Sequence, residues 1–188
     1  MPLPRLPALR RRIWRWLAAA PRDLADSWRT AALATADPEG PHVRIVIVRA
    51  VRPRLRELEF HTDSRSLKVE QIRKSPDVEW LFYDPAEKLQ LRAAGKSTIH
   101  IADAVVRAVW EKVPALSRAN YLQLCHPGKI LGRLRSIRSG LPASSEPHFA
   151  VVITRVERFD WLWLHPEGHR RASFKWHRGR WSANWLGP

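Results

Sequence analysis

The chain holds one cysteine, Cys125, in 188 residues, so no intramolecular disulfide can form and a thiolate metal cluster within one chain is excluded. Long apolar runs are missing too: no stretch approaches the roughly 18 residues that would span a bilayer as a helix. The eight histidines carry no tight ligand spacing such as H-E-x-x-H, and no metal site is expected. Acidic residues are scarce, 18 against 33 lysines and arginines, which leaves a net charge of +15. A soluble protein of one domain, or of one domain with extensions, is expected, with enough length to bury a core. The expected localisation is cytoplasmic.

So basic a chain suggests nucleic acid or a membrane surface as a partner. Here the arginines are scattered: Arg10 to Arg12, Arg52 to Arg56, Arg133 to Arg138, and Arg170 with Arg171 fall in different segments. No RNA-recognition aromatic motif, zinc finger or basic heptad region gathers them. Nucleic-acid binding is therefore the minor alternative. Residues 1–27 read as a basic N-terminal extension whose helix packs Ile13, Trp16 and Leu17 on the body and is closed by Pro21. Its Arg-rich, acid-free part, Met1 to Ala20, is also compatible with an organellar leader.

From Arg29 onward the pattern turns to strands. Thr30 to Ala36 and Val43 to Val51 make a hairpin around the turn Asp37-Pro-Glu-Gly40. Glu57 to Thr62 follows, then a helix from Ser66 to Lys74, then the pair Val78 to Tyr83 and Leu89 to Ile101. Helices are expected over Ala102 to Val113, capped by Asp103, and over Pro114 to Cys125, opened by its proline. A loose basic segment then runs to Pro147. Four short strands close the chain: Phe149 to Val156, Asp160 to Leu164, Ala172 to Trp176 and Arg180 to Trp185. The expected fold is mainly β, an antiparallel barrel with inserted helices, spanning 28–188 with a helical insertion at about 102–147.

Two segments carry chemistry. The strand Arg44-Ile-Val-Ile-Val-Arg49 has a cation at each end, and Phe60-His-Thr-Asp-Ser-Arg-Ser-Leu-Lys68 is a strand that breaks into a hydroxyl-rich turn before a helix. A phosphate monoester carries close to two negative charges, best met by an arginine fork, a lysine, hydroxyls and the free N–H groups of a helix start. Arg44, Thr62, Ser66 and Lys68 supply those groups. Taken singly, the same residues are strand ends and an ordinary cap at Asp63-Ser64.

In order along the chain, Leu33-Ala-Thr35 with Gly40-Pro41, the two segments above, Trp80-Leu-Phe-Tyr83, Gln90-Leu-Arg92, Gly95 and the final Trp181 to Pro188 resemble the pyridoxamine 5′-phosphate oxidase-like flavoproteins. The resemblance runs from about Trp28 to Pro188, nearest to the small members whose substrates are unassigned. It implies an FMN-binding split barrel and a homodimer with its flavin site at the subunit interface. Carried over by position, it implies that Arg44 and Lys68, with Ser66 and Thr62, hold the FMN phosphate. The backbone of Ile45, Val46, Ile47, Val48 and Arg49 would run along the flavin, with His61 in the same cofactor run. Gln90 would bond the isoalloxazine edge. From the other subunit would come Trp161 or Trp163 and Arg170 or Arg171, with Trp163 and Arg171 as the preferred pair.

Arg49, Tyr121 and His126 are the residues placed at the substrate. Authentic pyridoxamine-phosphate oxidases carry Arg-Pro after a Tyr and a late Arg-Leu-His triplet. Here His126-Pro127 follows Tyr121, Gly168-His-Arg-Arg171 stands at the triplet, and Arg49 replaces the usual lysine. A small anionic substrate is expected, and a vitamin B6 phosphate is one option for it. The expected activity is FMN-dependent oxidation by hydride transfer; the alternatives are a non-catalytic flavin-binding module and a basic nucleic-acid binder. No side chain is assigned as catalytic: no acid/base dyad stands out, and His61 reads as a packed or solvent-facing histidine.

Overall fold

The hairpin that opens the sheet is set by alternation. In β1, Thr30–Asp37, the side chains of Ala31, Leu33 and Thr35 turn inward and are buried. Its partner β2, Gly40–Ile47, pairs with it from Thr30↔Ile47 to Asp37↔Gly40. Gly40 takes φ 132° at the turn, a conformation that favours glycine, and Asp37 Oδ1 accepts the Glu39 N–H at 2.9 Å.

The computed structural model describes residues 4–123, 125–130 and 147–188. Within them the remaining strands are β3 (Ala50–Arg52), β4 (Glu57–Asp63), β5 (Asp77–Asp84), β6 (Leu89–Ile101), β7 (Phe149–Trp163), β8 (Arg170–His177) and β9 (Arg180–Leu186). All pairings are antiparallel, in the order β2-β1-β5-β6-β7-β4-β3, with β8 on β7 and β9 on β8.

Two strand expectations need correction. The single strand Val43 to Val51 is broken, because the backbone N–H of Val48 turns to the Arg29 carbonyl and that of Arg49 to the Glu59 carbonyl, each at 2.8 Å. The two strands expected over Phe149 to Val156 and Asp160 to Leu164 are one strand of 15 residues. On one edge β7 pairs with β6 throughout, shifting register once at Ala94/Gly95. Its other edge is shared, with β4 along Phe149 to Arg155 and β8 along Arg158 to Trp163. Pairing with β6 on both sides of this shift holds the two halves together, and the change of partner gives the barrel its split form.

The helices are shorter than the sequence suggests. β6 runs to Ile101, and Ala102 takes φ 53°, so α3 (Ala104–Trp110) starts only after the Asp103 cap accepts from Val106 N–H at 2.9 Å. The following helix, α4, covers only Ala115–Arg118 and passes into a 3-10 turn at Ala119–Tyr121. Most of the expected basic segment, residues 131–146, lies outside the described residues. Between β4 and β5 stands α2, Leu67–Lys74.

The main core brings α1 (Leu6–Ala19) against the sheet through Leu9, Ile13, Trp14 and Leu17, packed with Trp28, Phe82 and Phe159. Trp14 is the buried tryptophan of this helix, while Trp16 is half-buried against Trp28, ring centroids 5.4 Å apart. A smaller cluster of Val106, Val113, Phe149 and Val151, with Trp110 and Tyr121, seats the inserted helices on the other side of β4 and β7. Among the described residues no helix is long and apolar enough to cross a membrane.

Candidate cofactor and substrate site

Arg44 points inward from β2, opposite Leu33. Its Nη1 donates to Thr35 Oγ1 at 2.6 Å and to the Leu33 carbonyl at 3.3 Å, and its Nη2 to Gln71 Oε1 at 2.9 Å. Lys68, in the first turn of α2, donates from Nζ to Thr62 Oγ1 at 3.1 Å. The Thr62 and Ser66 hydroxyls lie 3.3 Å apart, and Ser66, the N-cap of α2, makes no capping bond with its side chain. Among the described residues every hydrogen-bond partner of Arg44 and Lys68 is neutral. Burial lowers the pKa of both, and the nearby Arg44 charge depresses Lys68 further, partly opposed by Asp63.

Two partly buried cations held close together repel and are poorly solvated. An anion between them relieves both costs. The donor set of fork, ammonium, two hydroxyls and an open helix start matches a phosphate.

On β4 the alternate residues face the opposite way. Glu59 and His61 line a cleft of about 470 Å³ with Arg49, Lys112 and Tyr121. Glu59 is 3% exposed; its Oε2 accepts from Arg52 Nη2 at 2.6 Å, and its Oε1 lies 2.9 Å from His61 Nε2. Burial raises the Glu59 pKa, but the hydrogen bonds from His61 and Arg52 outweigh it and hold the carboxyl below its usual range. Burial raises the Tyr121 phenol, which stays a donor. The fold thus brings Arg49 and Tyr121 to one cleft. His126 is exposed, its Nδ1 2.8 Å from the Pro127 carbonyl, and does not line that cleft.

The outer face of the sheet carries the other candidates. Ile45, Ala32, Leu81, Arg92, Asp160 and Ser173 lie in register across β2, β1, β5, β6, β7 and β8, and the row Tyr83, Gln90, Leu162 and Arg171 runs beside them. Arg171 forks onto Asp160 at 3.0 and 2.8 Å. Gln90 and Arg171 therefore share a face. Trp163 takes the opposite side of β7, its Nε1 donating to the Glu87 carbonyl at 3.0 Å with Arg170 over its ring. Ile45 and Ile47 also face outward, Val46 and Val48 inward, and β2 is an edge strand.

Sequence reasoning passed over Gln71, Glu59, Arg52 and Lys112. Only the Glu-x-His spacing on one strand, which puts Glu59 and His61 on the same face, was available as a signal.

Residues 13–101 match the model of the pyridoxamine 5′-phosphate oxidase FMN-binding domain. A crystal structure of a pyridoxamine 5′-phosphate oxidase-related, FMN-binding protein from Nostoc punctiforme PCC 73102 matches with a TM-score of 0.80 and 26% identity, over 100% of each chain. The chain is similar to the pyridoxamine 5′-phosphate oxidase-like FMN-binding family. A relative in that family, the pyridoxine/pyridoxamine 5′-phosphate oxidase of Pseudomonas putida (strain W619), is 25% identical over 179 residues, 83% of this chain and 76% of that protein. PhzG from Burkholderia lata 383, solved with tetrahydrophenazine-1-carboxylic acid, shares the fold at a TM-score of 0.76 and 20% identity, over 98% of this chain and 94% of that one. FMN is the cofactor of the family domain, and the Arg44–Lys68 cluster has the donors its phosphate requires.

Proposed function

We propose that this protein is an FMN-dependent oxidoreductase acting on a small anionic substrate. One observation carries the reading: Arg44 and Lys68 converge with only neutral hydrogen-bond partners among the described residues, beside a second cationic cleft lined by Arg29, Arg49, Arg52 and Lys112. When bound, FMN supplies the two-electron chemistry. The chain's own residues bind and orient. Arg44, Lys68, Thr62 and Ser66 hold the phosphate, and Arg49 with the Tyr121 hydroxyl receives the anionic end of the substrate.

The complete site takes two copies of the chain. Gln90 and Arg171 share the outer face, whereas Arg44 points to the inner one. Between β2 and β6 lie three strand spacings, about 14 Å at the usual separation. A second copy laid along the outer face and around the β2 edge brings its own Gln90 and Arg171 toward the first copy's phosphate cluster. The exposed apolar side chains Val43 and Ile45, 67% and 68% accessible, fit such an interface.

The test is flavin retention. Protein mixed with excess FMN and passed through gel filtration is expected to keep flavin absorbance, with R44A and K68A each losing it. Wild-type protein that retains no FMN overturns the reading, and retention by both variants overturns the assignment of the phosphate site. A non-catalytic flavin-binding module would retain FMN but leave it oxidised through an anaerobic screen of small phosphate and carboxylate substrates.

A further inference from the structure

We infer that His61, oriented by Glu59, is the proton acceptor of the cleft, taking a proton at Nδ1 from the N–H or O–H of an anionic substrate, a role that rests on the flavin-dependent oxidation proposed above. The placement begins with strand alternation. Leu58, Phe60 and Thr62 face the main core and the phosphate cluster, so Glu59 and His61 face the cleft under the inserted helices. His61 Nε2 is engaged by Glu59 at 2.9 Å. A carboxylate in that position requires the imidazole proton on Nε2 and leaves the Nδ1 lone pair free. Among the described residues Nδ1 has no hydrogen-bond partner, and it is not a buried orphan either, so it is open to the cleft.

The rest of the shell supports this role. Phe149 packs edge-on against the imidazole at 5.0 Å and holds the ring plane. Arg52 anchors the other oxygen of Glu59 at 2.6 Å, which keeps the carboxylate from rotating away. Several charged groups surround the pair. Arg49 and Arg52 come from the β2–β4 region, Arg29 from the turn before β1, and Lys112 and Tyr121 from the inserted segment; Asp63 follows on β4 and is itself forked by Arg65. Among the described residues Glu59 is the single carboxylate lining the cleft.

In the transfer the substrate X–H bond breaks, its electron pair stays on X, and an Nδ1–H bond forms. Glu59 then balances the imidazolium, while the cations hold the substrate's negative group.

The test uses FMN-loaded protein labelled with ¹⁵N at histidine, with flavin retention read first on the same sample. The expected spectrum shows neutral His61 carrying its proton on Nε2, with Nδ1 unprotonated. In E59Q the Nε2–H preference is lost. Inorganic phosphate, the anion probe, shifts the His61 resonances in wild type and not in R49A. A neutral His61 with its proton on Nδ1, or an Nδ1 that phosphate leaves untouched, overturns the role and marks a packing histidine. Absence of retained FMN overturns the flavin reading instead, and the histidine spectra of the flavin-free protein still decide the tautomer.

Discussion

Arg44 and Gln71 are joined by a 2.9 Å hydrogen bond from Nη2 to Oε1. The same Oε1 accepts from Thr35 Oγ1 at 2.7 Å, and the Gln71 amide nitrogen donates to Asp37 Oδ2 at 3.0 Å. Asp37 thus fixes which way the amide points, and the amide fixes the arginine. A neutral partner is the physically useful one here: it orients Arg44 without cancelling the charge an incoming phosphate needs.

Replacing Gln71 with leucine leaves Arg44 and Thr35 without their shared acceptor in a buried place. Stability is expected to fall by about 1–3 kcal/mol. FMN affinity should drop about tenfold, equivalent to roughly 1.4 kcal/mol. Urea unfolding and quenching of flavin fluorescence measure the two, and a variant that matches wild type in both would refute the anchoring role.

Asp37 should govern part of the acid response. The His42 imidazole, with Nε2 3.0 Å from Asp37 Oδ1, is the largest cause that lowers its pKa from 3.8 to about 2; desolvation opposes it, and bonds from Gln71 and the Glu39 backbone add to the lowering. A carboxyl whose folded pKa lies below its unfolded one favours folding in its charged form. The contribution is full above pH 3.8 and lost as the pH falls toward about 2. Urea midpoints of wild type and D37N should therefore differ at neutral pH and converge on acidification through that window. A difference that persists at the acid end would argue against it.

Gly95 is fixed by a close approach. It sits where β6 shifts register against β7, and a Cβ there would run into the Arg155 carbonyl and the Val156 backbone. Neither neighbour is a flexible side chain that can yield, so G95A is expected to cost about 3 kcal/mol or more. Chemical denaturation of G95A decides this; a midpoint near that of wild type would mean the bulge can relax.

The small residues of Thr30 to Ala36, the β-branched run from Val43 and the Asp37-Pro-Glu-Gly40 turn made the first hairpin legible, and the hydroxyls spaced around Lys68 pointed to the donor cluster that gathers there. Other features were hidden for definite reasons. The length of β7 was obscured by Glu157, Arg158 and Asp160, charges that sit on its outward side and read locally as a break between strands. The Val48–Arg49 interruption depends on carbonyls of Arg29 and Glu59, distant partners that no local pattern reports. Gln71 looked like a polar helix residue because its three partners come from other elements. Gln90 and Arg171 could be placed on one face only after the register of β6, β7 and β8 was known.

The proposed two-copy site leads to the final prediction. Ile45 is exposed on an edge strand and lies in register with Ala32 and the half-exposed Leu81, so a glutamate there costs the single chain little. At the centre of an interface the same carboxylate would be desolvated, a penalty of several kcal/mol. Sedimentation equilibrium is expected to give wild type twice the 21.8 kDa chain mass and I45E the single mass. Far-UV circular dichroism should be unchanged, and FMN affinity weakened at least about tenfold. The joint loss matters, because Arg44 and Lys68 are intact in I45E and any fall in affinity reports what the second copy contributes. Wild-type protein that sediments as a monomer while holding FMN tightly would show that one chain suffices, and Gln90 and Arg171 would then have no part in the flavin site.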